Sequence, residues 1–523
     1  MTGDAGVAGS SRENREPNAF ASGTAIVVYV ALVRMVLYFV AAPNYGYFRD
    51  ELYYLACGEH PAWGYVDQPP LIAWIAWSLQ HTIGTSLWAV RLLPALVGAA
   101  TIVLAGLLAR ELGGRRWAMF LAALATLMAP VSLALSHLFT MNAFDPLLWT
   151  AIAYLVVRIA KSGDERLWLA VGALAGVTIL NKYGIVFWLS GLLVGIVATP
   201  LRQSLRHVWL WIGLAVAAVI ALPNFFWQRQ HQFPFLELMR NVRQSGRDIS
   251  LPPLLYLKAQ AEMLGYLAAL LVIFAMVFFL SKKGRRFSAL GWAFVVFLAE
   301  MIALRGKMYY VAPVYPMMFA AGAVWIASVT EGKPWRWVKP ALAVGIVAIS
   351  GVYVPTIVPV LSVPAFLSYE RKMGVEQQKF ENQPQGVLPQ LYADMFGWQE
   401  IAETVAAYYR TLSPEEQSKT AIFANNYGDA GAIDFFGPRY GLPKSIGNHQ
   451  SYWIWGPRQY TGESLIVLGE DHEENMQTKC ASYSVIGNTK YPLSRPDEWH
   501  PIYHCRGLKW NLQEVWPKVK HFD

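Results

Sequence analysis

Apolar residues dominate the chain up to about Leu361, in stretches long enough to cross a lipid bilayer and separated by short polar linkers. A hydrocarbon core about 30 Å thick takes about 20 apolar residues per helix. Runs of that kind begin near Thr24, Leu87, Trp117, Asn142, Leu167, Tyr183, Val208, Ala261, Phe287, Ala312 and Val338, which makes about eleven predicted spans. Residues 42–86 carry apolar stretches too short to span, which suits helices lying at the membrane interface. From about Ser362 the pattern turns polar. Trp398 to Thr411 has the spacing of an amphipathic helix, Thr420 to Ala424 and Ser464 to Leu468 read as short strands, and Ile433 to Phe436 ends a helix between them. The expected fold is an α-helical integral membrane protein with a small C-terminal α/β domain. Its parts are a disordered cytoplasmic tail (1–22), a transmembrane domain (23–361) and an extracytoplasmic domain (362–523).

Charge turns this pattern into a topology. The short linkers bearing Arg115 and Arg116, then Arg158, Lys161 and Arg166, then Arg202 and Arg206, then Lys282, Lys283, Arg285 and Arg286, and lastly Lys333, Arg336 and Lys339 all fall on one side of an eleven-span chain, with the N-terminal tail. The positive-inside rule makes that side cytoplasmic and puts the C-terminus outside. The protein is thus expected in the inner, cytoplasmic membrane of a cell envelope. A formal net charge of +8 is then a topology signal and no pointer to nucleic acid. Composition agrees: 55% of the 523 residues are hydrophobic and 15% charged, against about a quarter charged in soluble domains. Three cysteines make no disulfide framework, but Cys480 could pair with Cys505 in an oxidising compartment. Phosphate-loop, His-Glu-x-x-His, Cys-x-x-Cys and Gly-x-Gly-x-x-Gly motifs are absent, and the histidines are too scattered to define a metal site.

Three clusters carry candidate chemistry. In the first outer loop, Asp50 and Glu51 precede Asp67 and Gln68, set among aromatics and prolines. Acids so spaced can meet across a helix-turn-helix and act as base and metal ligand, or simply solvate an interfacial helix. The second cluster runs from Ser136-His137 to Asn142 and Asp145-Pro146, where an ionisable residue just inside an apolar run is either functional or a helix cap. The third comprises outward-facing cations: Lys182 between two spans, and Lys307 with Tyr309. Such cations suit a lipid phosphate, or they snorkel from helix ends. Arg229, Arg240, Arg243 and Arg247 read as a solvated or headgroup-binding surface, and Tyr452, Trp453, Trp455 and Tyr460 as a sugar-stacking surface or as core.

Phe48-Arg49-Asp50-Glu51-Leu52-Tyr53-Tyr54, Gly64-Tyr65-Val66-Asp67-Gln68-Pro69-Pro70-Leu71, Asn181-Lys182-Tyr183, Gly306 to Tyr310 and Asn426 to Pro438 together resemble bacterial GT-C glycosyltransferases of the family 39-like branch. These are akin to protein O-mannosyltransferases and to the aminoarabinose transferases that modify lipid A. The resemblance implies a GT-C fold and an inverting transfer of a hexose or pentose from a polyprenyl-phosphate carrier, on the outer face of the membrane, to a lipid, glycan or protein acceptor. Asp50 matches the position of the catalytic acid/base. Glu51, Asp67, Gln68, His137, Asp145, Lys182, Lys307 and Tyr309 are the expected substrate contacts. Asp50 and Asp67 would be the ligands of a divalent metal, although Gln68 stands where those relatives carry Lys. A polytopic transporter or lipid flippase with an outer sensing domain is the alternative, and a silent membrane scaffold is a third reading. The lack of an internal repeat and the acids gathered in an outer loop favour the enzyme.

Overall fold

A computed structural model describes residues 22–374, 381–470 and 472–523. The predicted tail over 1–22 therefore lies outside the described residues, apart from Ser22, which caps the first helix. Helix α1 (Gly23–Ala41) is followed by two short helices, α2 (Arg49–Glu59) and α3 (Leu71–Thr82), and then by α4 (Leu87–Glu111). Helices α5 (Arg116–Met128) and α6 (Pro130–His137) meet at a bend of 63°. Next come α7 (Asp145–Ser162), α8 (Leu167–Asn181), α9 (Ile185–Ala198), α10 (Val208–Gln230) and the amphipathic α11 (Pro234–Ser245). Helices α12 (Pro253–Met263) and α13 (Leu267–Leu280) form a second bent pair, at 111°, before α14 (Ser288–Ala303), α15 (Tyr315–Val329) and α16 (Val338–Ile357).

Each of the eleven predicted runs falls on one of these helices, but not all are complete spans. Among the described residues seven helices are long and apolar enough to cross a membrane, and ten if each of three bent pairs counts once, the third being α9 with the short helix Pro200–Arg206, at 99°. Helix α8 has only 15 residues, short of the roughly 20 that a perpendicular span needs. The two short helices within residues 42–86, of 11 and 12 residues, fall short of the length of a span.

Contacts at the helix ends sort the loops into two sets, in keeping with the charge pattern. On one side Lys161 pairs with Glu111, Arg110 reaches Thr24, and Ser204 bonds Glu165. On the other, Asn44 reaches the Pro359 carbonyl, Asn224 the Trp63 carbonyl, and Arg49 pairs with Glu498. The loops read as outer therefore close over one another and over the C-terminal domain.

That domain holds a five-stranded sheet: β1 (Thr420–Ala424), β2 (Ile446–Gly447), β3 (Ser464–Leu468), β4 (Cys480–Asn488) and β5 (Pro501–Leu508), in the order β2-β1-β3-β5-β4. The first three strands run parallel, and β5 is antiparallel to β3 and β4. Side chains alternate between the faces with a period of two. Ile422, Ala424, Ile466, Leu468 and Ile502 pack toward the first outer loop, while Ala421, Leu465, Val467, Tyr503 and Cys505 build a second core behind. Two helices lie between the sheet and the first outer loop: Trp398–Tyr409 and Tyr427–Phe436. Gly428 and Gly431 let the latter lie directly on α2, since a Cβ on Gly428 would stand 2.8 Å from Arg49 Cγ and one on Gly431 3.2 Å from Leu52.

Cys480 and Cys505 form a disulfide that closes a separation of 25 residues. Replacing both with Ser is expected to lower the stability of the outer domain by about 3 kcal/mol. Denaturant unfolding followed by Trp fluorescence checks this, with the wild type under reducing conditions matching the variant.

Candidate functional site

Asp50 and Glu51 are neighbours in the first turn of α2, and about 100° of helical rotation sends them to different places. Asp50 keeps a side chain 29% exposed. Its Oδ1 accepts a hydrogen bond from the Tyr427 hydroxyl (2.9 Å) and lies 3.9 Å from the Arg49 guanidinium. Arg49 is itself fixed by Glu498 (3.0 Å) and by the face of the Tyr427 ring (5.2 Å). Asp67, on the turn between α2 and α3, accepts from Tyr53 (2.8 Å). The Tyr53 and Tyr427 rings pack 4.8 Å apart, so the two carboxylates hang from one aromatic pair. Burial pushes the Asp67 carboxyl up to about 7; the Tyr53 hydrogen bond opposes this and the charge of Asp50 adds to it.

A second group approaches from the spans. Lys182, just after α8, donates to Asn142 Oδ1 (2.6 Å) and sits over the rings of Tyr310 (4.3 Å) and Tyr309 (5.5 Å). It forms no ion pair among the described residues. Burial pulls its ammonium down to about 8, Asp145 opposing and Lys307 adding to the shift. Asp145 accepts from Asn181 (2.8 Å). No side-chain cap is present at the start of α7, so the helix-cap reading of Asp145 and Asn142 is replaced by a tether between α7 and α8. Lys307 contacts Asp248 (2.8 Å) and Glu381 (3.7 Å), and Arg247 pairs with Glu381 (2.9 Å). Burial alone would raise Glu381, yet Arg49, Arg247, Lys307 and Arg495 hold it down to about 2.

Three expected substrate contacts are placed elsewhere. Glu51 is fully buried. Its oxygens accept from Arg91 Nε (3.3 Å) and Nη2 (3.1 Å), from the Phe48 amide (2.9 Å) and from the Phe139 amide (3.0 Å), which makes it a brace. Gln68 is also fully buried, with Nε2 toward Cys57 Sγ. His137 is buried at the end of α6, with Nε2 unpartnered. All three side chains point into packed protein, Glu51 from α2, Gln68 from the turn before α3 and His137 from the end of α6. Arg247 leaves the surface group for the pair with Glu381. Of the aromatic set, Tyr452 is buried against Asp434, Trp453 packs on Phe522, and Tyr460 joins the core behind the sheet.

Sequence reasoning missed Tyr427, Asp248 and Glu381, whose contacts with Asp50, Lys307 and Arg247 reach across more than fifty residues of chain. It also missed a cluster of His449, His521 and Asp523 whose ligand atoms lie within 4.8 Å of one another. His449 Nδ1 accepts the Tyr427 amide (3.2 Å), which leaves the ring proton on Nε2, 2.8 Å from Asp523. A metal on Nε2 would require that proton at Nδ1, against the amide. The cluster is therefore a hydrogen-bonded clasp that steadies Tyr427, and through it Asp50. Asp50 and Asp67, the ligand pair that the sequence suggested, each accept from one tyrosine of the same packed pair.

Residues 67–227 match the family model of dolichyl-phosphate-mannose-protein mannosyltransferases. The lipid A galacturonosyltransferase RgtD of Rhizobium johnstonii is 32% identical over 216 residues, 40% of this chain. The chain spans under half of that relative's length, 44%. ArnT from Cupriavidus metallidurans bound to undecaprenyl phosphate superposes with a TM-score of 0.60 at 17% identity, over 92% of this chain and 98% of that one. Its apo form gives 0.59 at 16% identity, over the same shares of the two chains. The resemblance to GT-C glycosyltransferases related to the protein mannosyltransferases and to ArnT thus holds, and the protein is a multi-pass membrane protein with that fold.

Removing one partner of a buried ion pair costs about 3–5 kcal/mol. Glu51→Gln is therefore expected to lower the thermal unfolding midpoint of the detergent-solubilised protein sharply, whereas Asp50→Asn leaves it near wild type.

Proposed function

We propose that this chain is an inverting glycosyltransferase that moves a sugar from a polyprenyl-phosphate donor to an acceptor hydroxyl at the outer face of the membrane. The observation that carries this reading is a half-open carboxylate, Asp50, and a cation with no ion pair among the described residues, Lys182, both within electrostatic reach of Tyr309. The bound undecaprenyl phosphate of the ArnT structure supports a lipid phosphate as the donor's carrier.

The reaction is one displacement. Asp50 takes the proton of the acceptor hydroxyl, whose oxygen bonds to the anomeric carbon while the bond from that carbon to the phosphate oxygen breaks. The electron pair leaves with the phosphate. Lys182 is the group that stabilises the leaving charge by a charge-assisted hydrogen bond. Its seat on two tyrosine faces and Asn142 holds it without cancelling its charge, whereas Lys307 and Arg247 already carry carboxylate partners. A phosphate is a good enough leaving group to need no proton donor, unlike the two-carboxylate hydrolases. A divalent cation held by Asp50 and Asp67 would supply further charge stabilisation when bound.

The disulfide behind the sheet supports placing residues 362–523 in an oxidising, extracytoplasmic compartment, with the N-terminus in the cytoplasm and the spans in the inner membrane.

Asp50→Asn is expected to abolish transfer from a radiolabelled polyprenyl-phosphate sugar while leaving donor binding intact; turnover near wild type would sink the assignment. A lysine whose pKa is lowered to about 8 is charged below that pH and neutral above it. Donor affinity should therefore fall as pH rises from 7 to 9. Lys182→Arg, which stays charged, should flatten that dependence in a binding titration with undecaprenyl phosphate.

A further inference from the structure

Beside the carboxylates, on the face formed by the end of α10 and the helix Ser451–Trp455, lies an open cavity of about 380 Å³. That volume falls within the range of small-molecule sites, about 300–1,000 Å³. Its walls include Glu59, His60, Tyr65, Trp227, Ser451 and Trp455. Both indoles are held by stacking: Trp455 on His60 (4.2 Å) and Trp227 on His231 (4.1 Å). At the rim Glu59 pairs with Lys444 (2.6 Å), which sets a carboxylate and an ammonium side by side.

The groove reaches the chemistry through Ser451. Ser451 Oγ lies 2.9 Å from the Tyr53 hydroxyl, which in turn bonds Asp67. The cation assigned to the donor phosphate, Lys182, belongs to another element, the turn after α8.

Resting on the glycosyltransferase reading, we infer that this groove binds the acceptor and that the acceptor is a carbohydrate. A pyranose ring has apolar C–H faces that pack on indoles and hydroxyls that need donors and acceptors around its edge. Rigid aromatic walls with a few polar groups at the rim match that chemistry. At the rim Glu59 is paired with Lys444, and Arg458 also lies within electrostatic reach of His60, so the charged groups there can meet the hydroxyls of a sugar as donors and acceptors. Of the four aromatics that the sequence offered as a sugar surface, Trp455 alone lines this groove, and Trp227 joins it from a span.

The test uses the full chain in detergent and hydrogen–deuterium exchange. The probes are the lipid-free carbohydrate obtained by deacylating lipopolysaccharide, a Ser/Thr-rich peptide and undecaprenyl phosphate. The carbohydrate should protect residues 59–65 and 451–455, and Trp455→Ala should weaken its binding at least tenfold. Glu59→Gln should weaken it less, as a second variant that leaves the aromatic packing in place. Undecaprenyl phosphate should protect 181–184 and 305–310 equally in wild type and Trp455→Ala, which also shows that the variant is folded. Protection of the groove by the peptide, or no protection by carbohydrate while undecaprenyl phosphate still binds, overturns the inference. Failure of undecaprenyl phosphate to bind the wild type overturns the donor reading itself.

Discussion

Glu51 and Arg91 meet where neither side chain touches solvent, and four pieces of chain depend on that contact. Arg91 also donates to the carbonyls of Ala42, Asn44 and Gly46, which fixes the path from α1 into α2. Glu51 accepts the Phe139 amide, which anchors the segment leading to Asn142 and Asp145. A lone charge at this depth is costly, and a pair is tolerated only when its remaining hydrogen bonds are filled. Here they are filled by the backbone that has to be shaped. The same contact sets the rotation of α2 and so aims Asp50 at Tyr427.

From that brace the rest follows in layers. The helix turned by Glu51 presents Asp50 on one side, while the turn after it presents Asp67, and the aromatic pair Tyr53–Tyr427 holds both carboxylates. Around them acids and bases largely cancel: Glu381 is shared by Arg247, Lys307 and Arg495, and Arg495 also contacts Asp394. Lys182 is the cation that stands outside this cancellation. On the reading proposed above, Lys182 is the place to receive negative charge and Asp50 the one to remove a proton.

Much of this was legible in the sequence. Apolar runs need only length to declare themselves, so each of the eleven was found; helix bends and the shortness of α8 depend on packing between helices and were not. The strands β1 and β3 are buried and apolar, and could be read. Strand β4 is largely exposed and polar, and carried no alternation to detect. Asp50 was visible because its motif is local. Tyr427, Asp248 and Glu381 were not, because their roles come from pairings that only the folded chain creates. Glu51 was misread because adjacency in sequence was taken for adjacency in space, and on a helix neighbouring residues point apart.

The hydroxyl that holds Asp50 comes from Tyr427, 377 positions further along the chain. Arg49 likewise waits for Glu498. During biosynthesis the spans and the first loop emerge long before either partner has been translated. A ribosome-bound intermediate thus carries the acid without the groups that hold it in place. Asp50 gains its partner only when the domain after the last span has folded and settled onto α2. A truncated product with every transmembrane helix intact would keep Asp50 but lack the hydroxyl and the ion pair that hold it and its neighbour Arg49 in place.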